Sequence, residues 1–256
     1  MHDDPLYRNI MTRVLELSKT TPEKIRKIDI YYGKIKYKKP FVIATSVSIE
    51  EEVIILLLEV DDEVFGIGES ILPENKTGKT RVIDKIIEIS REIKGMNTYK
   101  ALSYYFREIT QESIYVRVPF SLSLLDIIAR SNQLKFGELF GKIKKKKIFT
   151  DLTIGIESLD ETLRDVKHAL DRGFKAIKLK VGKRKKKDLE IIRKVWSMIP
   201  NDTALRIDAN QGWDLDDALF ILKKLEEEDI DIDFLEQPVP KDKISWLKKL
   251  KEASSI

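Results

Sequence analysis

Two lysines and two carboxylates recur at a spacing that could assemble one charged site. In Ala176-Ile177-Lys178-Leu179-Lys180-Val181 the lysines alternate with aliphatic residues, so a strand puts both ammoniums on one face. Asp208 ends a second strand-like run, Ala204 to Asp208, and Glu236 ends a third, Ile232 to Glu236. Lys180 and Asp208 are 28 residues apart, and Asp208 and Glu236 are separated by the same interval, one strand-plus-helix repeat each. Two carboxylates on adjacent strand ends can converge on a hard cation such as Mg²⁺. Two lysines held close together disfavour each other's charge, which lowers their pKa values and lets one serve as a base. Each residue alone has a plainer explanation: a strand-end Asp often caps the next helix, and a strand Lys often reaches solvent. The one-repeat spacing at successive strand ends favours a shared site.

The elements that would position these residues form a series. Strand Asp151 to Ile156 leads to a helix whose start is marked by the capping-box pair Ser158 and Glu161, with an apolar stripe of Leu163, Val166 and Leu170 and a stop at Gly173. Strand Ala176 to Val181, a helix from Asp188 to Met198, strand Ala204 to Asp208 and a helix after Asp214 follow. Strand Ile232 to Glu236 and a helix near Ser245 to Ala253 complete four βα units. Such a series builds an open doubly wound sheet or a barrel, and barrels place their active sites at the C-terminal strand ends. A complete barrel needs about eight units. Four units predict an open edge and an uncovered apolar face.

Upstream the order is different. A helical pattern at 6–19 precedes Thr20-Thr21-Pro22 and is read as an extension (1–23) without chemistry. Strands Ile25 to Ile35 and Glu52 to Val60, a turn at Asp61-Asp62 and strand Val64 to Ile67 precede helical patterns over 80–94, 98–109 and 119–131. Strands first and helices after predict an α+β domain over 24–145, with the barrel segment occupying 146–256.

Composition narrows the function classes. Charged residues reach 35% of the 256, against about 25% in ordinary domains, a Lys-, Glu- and Ile-rich balance that fits ion-pair networks. Basic and acidic residues nearly cancel, at 47 and 43, which argues against a nucleic-acid partner. The basic clusters Lys142 to Lys147 and Lys183 to Lys187 lack interleaved aromatics and are expected to be solvated faces. Cysteine is absent, excluding thiolate ligands and nucleophiles, and the two histidines, His2 and His168, do not suggest a zinc site. No apolar run approaches the roughly 20 residues of a membrane span, and Met1-His2-Asp3-Asp4 is unlike a signal peptide, so a cytoplasmic protein is expected. Gly78-Lys79-Thr80 is no phosphate loop, because Pro73 replaces the required glycine. Gly66-Ile67-Gly68 lacks the later glycine of a dinucleotide fingerprint.

The segments Gly173 to Gly182, Arg206-Ile207-Asp208-Ala209-Asn210-Gln211-Gly212-Trp213 and Phe234-Leu235-Glu236-Gln237-Pro238 resemble the K-x-K strand and the first two metal-ligand segments of the enolase superfamily, muconate-lactonizing subgroup. The likeness extends to Lys39-Pro40-Phe41, Gly66-Ile67-Gly68-Glu69 and Asp126-Ile127-Ile128-Ala129, so it covers about 25–256. Thr150-Asp151-Leu152-Thr153-Ile154 and Thr77-Gly78-Lys79-Thr80 are most similar to the dipeptide epimerases. The resemblance implies an α+β capping domain before a (β/α) barrel of the TIM type, and Mg²⁺-dependent removal of the α-proton of a small carboxylate, a dipeptide. It makes Lys180 the base, Lys178 its tuner and a substrate contact, and Asp208 and Glu236 the Mg²⁺ ligands. Thr153, Asn210 and Gln237 become substrate or supporting contacts.

In that family a third carboxylate ligand, an opposite-face lysine and a D-x-D segment come from later strands, beyond Ile256. The expectation is a truncated or split epimerase-like chain, inactive alone unless a second polypeptide supplies the remainder; a homo-oligomer is also compatible. Glutamate-selective members tend to carry an arginine after K-P-F, whereas Val42 to Ser48 holds no cation, which places an apolar second residue on equal footing with an acidic one. Muconate cycloisomerase, o-succinylbenzoate synthase and a non-catalytic interaction subunit are the alternatives.

Overall fold

The computed structural model describes residues 5–21, 24–60, 63–145 and 147–254. The expected turn at Asp61-Asp62, the Met1-to-Asp4 terminus, Pro22 and Lys146 lie outside the described residues. The chain divides into two compact units, Met1–Lys36 with Glu50–Lys146 and Tyr37–Ile49 with Lys147–Ile256.

The first unit is α+β. It contains α1 (Pro5–Lys19), most of β1 (Lys27–Val42) and β2 (Val47–Glu59), β3 (Phe65–Ile71), α2 (Lys76–Ile93), α3 (Thr98–Arg107) and α4 (Ile114–Ser131), with sheet order β1-β2-β3. Alternation along β2 buries Ile54, Leu56 and Leu58 completely, in one core with Ile86 of α2 and Phe120, Leu124 and Ile127 of α4. Gly66 and Gly68 of β3 explain how α4 comes so close. A Cβ at either position would collide with the backbone carbonyl of Ser123 or Pro119, so Gly66-Ile67-Gly68 is a packing device. Asp126 then accepts a hydrogen bond from Ile67 N at 3.2 Å and pairs with Arg130 at 3.1 Å.

Gly78-Lys79-Thr80 lies inside α2, whose N-cap Asn75 accepts from Gly78 N at 2.7 Å. α4 begins five residues before Pro119, the position where its start was expected. Proline favours a helix's first turn, but here it sits in the interior, where its carbonyl lies against Gly68. Nor does α1 stand apart. Val14 is buried with Leu102, Ile128 and Leu139, and Asn132 at the end of α4 bonds both Thr20 Oγ1, at 2.8 Å, and Leu17 O, at 3.3 Å.

The second unit is a partial (β/α) barrel of the TIM type with four βα units. Its parallel sheet runs β4 (Leu152–Ile154), β5 (Ala176–Lys180), β6 (Ala204–Asp208), β7 (Phe234–Glu236), and α5 (Leu159–Asp171), α6 (Lys185–Trp196), α7 (Leu215–Glu227) and α8 (Ile244–Ala253) follow these strands in turn. The Ser158–Glu161 capping box forms as expected. Ile154, Ile177, Leu179, Leu205 and Ile207 face the helices and are buried in one core with Val166, Ile192, Val195, Ile221 and Leu225.

The opposite sheet face corrects the expectation of exposed apolar surface. Period-two alternation places Thr153, Lys178, Arg206 and Phe234 in one row across it, and Lys180, Asp208 and Glu236 in the next. Apart from half-buried Phe234, these rows are polar. Arg206 pairs there with Asp151 at 2.9 Å and Asp233 at 2.8 Å. The basic clusters behave as solvated faces: Lys142, Lys144, Lys145 and Lys147 are exposed, and Lys185 pairs with Asp217 of α7.

Gly68→Ala is expected to destabilise the protein by about 1–3 kcal/mol, the usual range for overpacking. The measurement is the urea midpoint at constant m. Gly33→Ala is the control, since nothing lies within 4 Å of a Cβ there; equal midpoints for the two variants would refute the close-packing account.

Candidate active site

Lys178, Lys180, Asp208 and Glu236 meet at the C-terminal ends of β5, β6 and β7. Lys180 Nζ donates to Asp208 Oδ2 at 2.6 Å. Lys178 Nζ donates to Glu236 Oε2 at 2.6 Å and lies 3.3 Å from the same Asp208 oxygen. One ammonium reaching both carboxylates keeps those oxygens within two hydrogen-bond lengths of each other. Asp208 is 1% exposed, whereas the Glu236 side chain is 40% exposed, so the cluster is buried on one side and wet on the other.

Asp208 is not a helix cap: α7 is capped by Asp214, which accepts from Asp217 N at 2.7 Å. Burial pushes the Asp208 carboxyl up, but bonds from Lys180, from Asn210 N and from Lys178 outweigh it and hold the group below the usual carboxylate range. Lys178 departs from the expected depression. Burial alone lowers it, yet bonds to Glu236 and Asp208 hold it above the ordinary lysine value. The expectation paired lysine with lysine, whereas the fold interposes a carboxylate beside each ammonium.

The other expected residues divide. Thr153 lies beside Lys178 in register, half-buried on the same face. Asn210 N donates to Asp208 Oδ1 at 2.9 Å, while its own Oδ1 is buried without a partner. Gln237 has an exposed side chain, and its carbonyl accepts from Gln211 N at 2.7 Å. Asn210, Gln211 and Gln237 all have positive φ, of 44°, 68° and 42°. For residues other than glycine this is sparsely populated backbone, and it concentrates at functional strand ends.

Residues outside the expected set hold the loops in place. Asp188, 3% exposed, accepts from Gly182 N at 3.1 Å, Arg184 N at 3.2 Å and the buried Trp213 Nε1 at 2.9 Å. It thereby ties the loop after Lys180 to the loop after Asp208. Its position in the first turn of a helix whose cap Arg184 makes no side-chain bond was the available signal. The segment 37–49 is the second addition. Ile156 N bonds Val42 O at 2.8 Å, and Lys39 pairs with Asp165 and, at 2.6 Å, with Glu157. Ala44 Cβ approaches the glycines Gly182 and Gly212, where added Cβ atoms would sit 3.0 and 2.7 Å from it. The 37–49 tip therefore rests on the same loops.

Burial raises the Asp188 carboxyl against the pull of its donors, with desolvation the largest influence. A raised folded pKa means the native state binds the proton more tightly, so this contribution is complete below the unfolded value of about 3.9 and is lost as pH rises through the folded one. The stability difference between wild type and Asp188→Asn should thus shrink with rising pH in denaturant titrations; a difference that grows would refute it.

Known proteins are similar to this chain in sequence and fold. A family described as Enolase C-terminal domain-like matches residues 161–256. An L-Ala-D/L-Glu epimerase of Clostridium acetobutylicum is 30% identical over 91% of this chain and 66% of its own length. The substrate-liganded L-Ala-D/L-Glu epimerase of Bacillus subtilis superposes with TM-score 0.80 at 26% identity, over 91% of this chain and 66% of that one. A dipeptide epimerase of Cytophaga hutchinsonii complexed with Mg and D-Ala-L-Val gives 0.78 at 26% identity, over 91% and 64%. The chain thus spans about two thirds of the relatives it matches. From its strand-end charges to these likenesses, the chain belongs to the enolase superfamily, and the relatives it resembles include dipeptide epimerases.

Proposed function

We propose that the second unit carries one side of a site that removes the α-proton of a small carboxylate, a dipeptide, by epimerase-type chemistry. The observation that carries this reading is the row Lys180, Asp208 and Glu236 in register on a helix-free face, with Lys178 touching both carboxylates. Lys180 Nζ is the base. To accept a proton it must be neutral and leave its bond to Asp208 Oδ2. Lys178 also orients the substrate carboxylate. Thr153 contacts substrate beside Lys178, Asn210 fixes Asp208 through its N–H, and Gln237 stands at the exposed rim.

The donors suit Mg²⁺: two carboxylates, with the unpartnered Asn210 Oδ1 close by, are hard oxygens. Asp208 and Glu236 would hold the ion, and the charge it neutralises on the substrate carboxylate would make the weakly acidic α-proton removable. Among the described residues no third His, Cys, Asp or Glu joins them, so the set is partial. Inversion also needs an acid on the opposite face, which we assign to a polypeptide segment beyond these four units, on this protein or a partner chain. The uncharged 42–48 tip supports an apolar second residue as readily as an acidic one.

The test is α-deuterium uptake and inversion with Mg²⁺ in D₂O, using L-Ala-L-Glu beside L-Ala-L-Leu. The chain alone should take up deuterium slowly with retention, and should not epimerise. Lys180→Ala should cut uptake by about 10²–10⁴-fold, the usual contribution of a general base. Inversion by this chain alone, or uptake indifferent to Lys180→Ala, would overturn the assignment.

A further inference from the structure

The first unit holds a cavity that the reaction chemistry does not use. It measures about 830 Å³ and is lined by residues of α1, α3, α4 and the turn between the last two. Small-molecule pockets commonly span about 300–1,000 Å³ and combine an apolar wall with a few placed polar groups. Here the apolar part includes Met11, Leu15, Tyr99 and Phe106, and the charged part is Arg107 and Arg117.

The two arginines make the cavity specific. Among the described residues no carboxylate lines it. In a chain whose cations are widely paired, neither guanidinium has an ion-pair partner among the described residues. Arg117 Nε is moreover buried with no hydrogen-bond acceptor. A guanidinium keeps its charge at any relevant pH and has only donors to offer, so a buried, unsatisfied N–H is costly and calls for an acceptor. Lys19 adds to the same sign, with its Nζ 5.7 Å from the centroid of the Tyr99 ring. The aliphatic hydroxyls on this wall are already committed, Ser103 to Tyr99 O at 2.8 Å and Thr110 to Phe106 O at 2.9 Å. Charge recognition therefore falls to the guanidiniums, with the aromatic side chains and Gln111 completing the wall.

We propose that this cavity is a binding site for a small amphipathic organic anion, with its carboxylate or phosphate head on Arg117 and Arg107 and its apolar body against Tyr99, Phe106 and Met11. It is distinct from the strand-end cluster and independent of the epimerase reading. Calorimetry on the full chain tests it with three probes: 4-phenylbutyrate, the matching neutral 4-phenylbutan-1-ol, and inorganic phosphate. The carboxylate should bind with submillimolar Kd and the alcohol about tenfold more weakly, the scale of a charge-assisted hydrogen bond; phosphate should also be weaker than the carboxylate. Arg117→Met should weaken phenylbutyrate about tenfold while preserving thermal stability, since it breaks no pair, and Lys248→Met should have no effect. NMR shifts of labelled Tyr and Phe should report the aromatic wall. If Arg117→Met fails to fold, Arg107→Gln decides. Equal affinity for acid and alcohol, phosphate binding as tightly as phenylbutyrate, or indifference to both arginine changes would each overturn the proposal.

Discussion

The ammonium of Lys178 shared between Glu236 and Asp208 is the contact on which the second unit is organised. Asp208 is almost wholly buried, and a carboxylate there is tolerable only with charge and donors supplied to it. Lys178, Lys180 and the Asn210 amide provide both. Lys180 and Asn210 sit at or just beyond a strand end and Lys178 one pleat inside, so strand register sets the cluster's geometry: Lys180 beside Asp208 beside Glu236. A one-residue slip would turn these charges into the helix-facing core and expose Leu179 and Ile207 in their place.

Much of this was legible in the residues. Alternation in 176–181 placed the lysines on one face, Ser158 and Glu161 marked α5, and the 28-residue interval set the βα repeat. The polar face is visible in the same alternation at Thr153, Lys178 and Arg206, once the strands are laid in register. Other features depend on contacts between distant segments. Asp188 becomes a loop tie only when Trp213 and Gly182 arrive beside it. Residues 37–49 look like the tip of an ordinary hairpin, and their attachment to β4, α5 and the strand-end loops rests on Lys39, Val42 and Ala44 meeting partners more than a hundred residues away. The direction of the Lys178 shift belongs to this class, since it turns on which neighbour is nearest.

The glycines divide labour between the units. Gly66 and Gly68 admit a helix backbone onto a strand, whereas Gly182, at φ 104°, and Gly212 admit one loop onto another and Ala44 onto both. The first pair builds stability. The second builds the floor on which the 37–49 tip rests, and together with the Asp188–Trp213 bond it limits how far the loops around Lys180 and Asp208 can drift. The left-handed residues Asn210, Gln211 and Gln237 lie in those same loops, where backbone cost is accepted for position.

The polar face of the sheet also bears on how the molecule assembles. Because Ile177, Leu179, Leu205 and Ile207 are sealed by helices that directly follow their own strands, the apolar surface of 152–250 is covered by near neighbours along the chain. Each βα unit can bury its greasy side as soon as its helix and the preceding unit exist, leaving a water-compatible surface of lysine, arginine and carboxylate on the other side. Strand-to-helix contacts of that kind are local in sequence, while each parallel strand pairing closes a loop of about one βα unit and is the slower step. A ribosome releasing this chain would therefore release, unit by unit, segments that hide their sticky surface before the last strand is made.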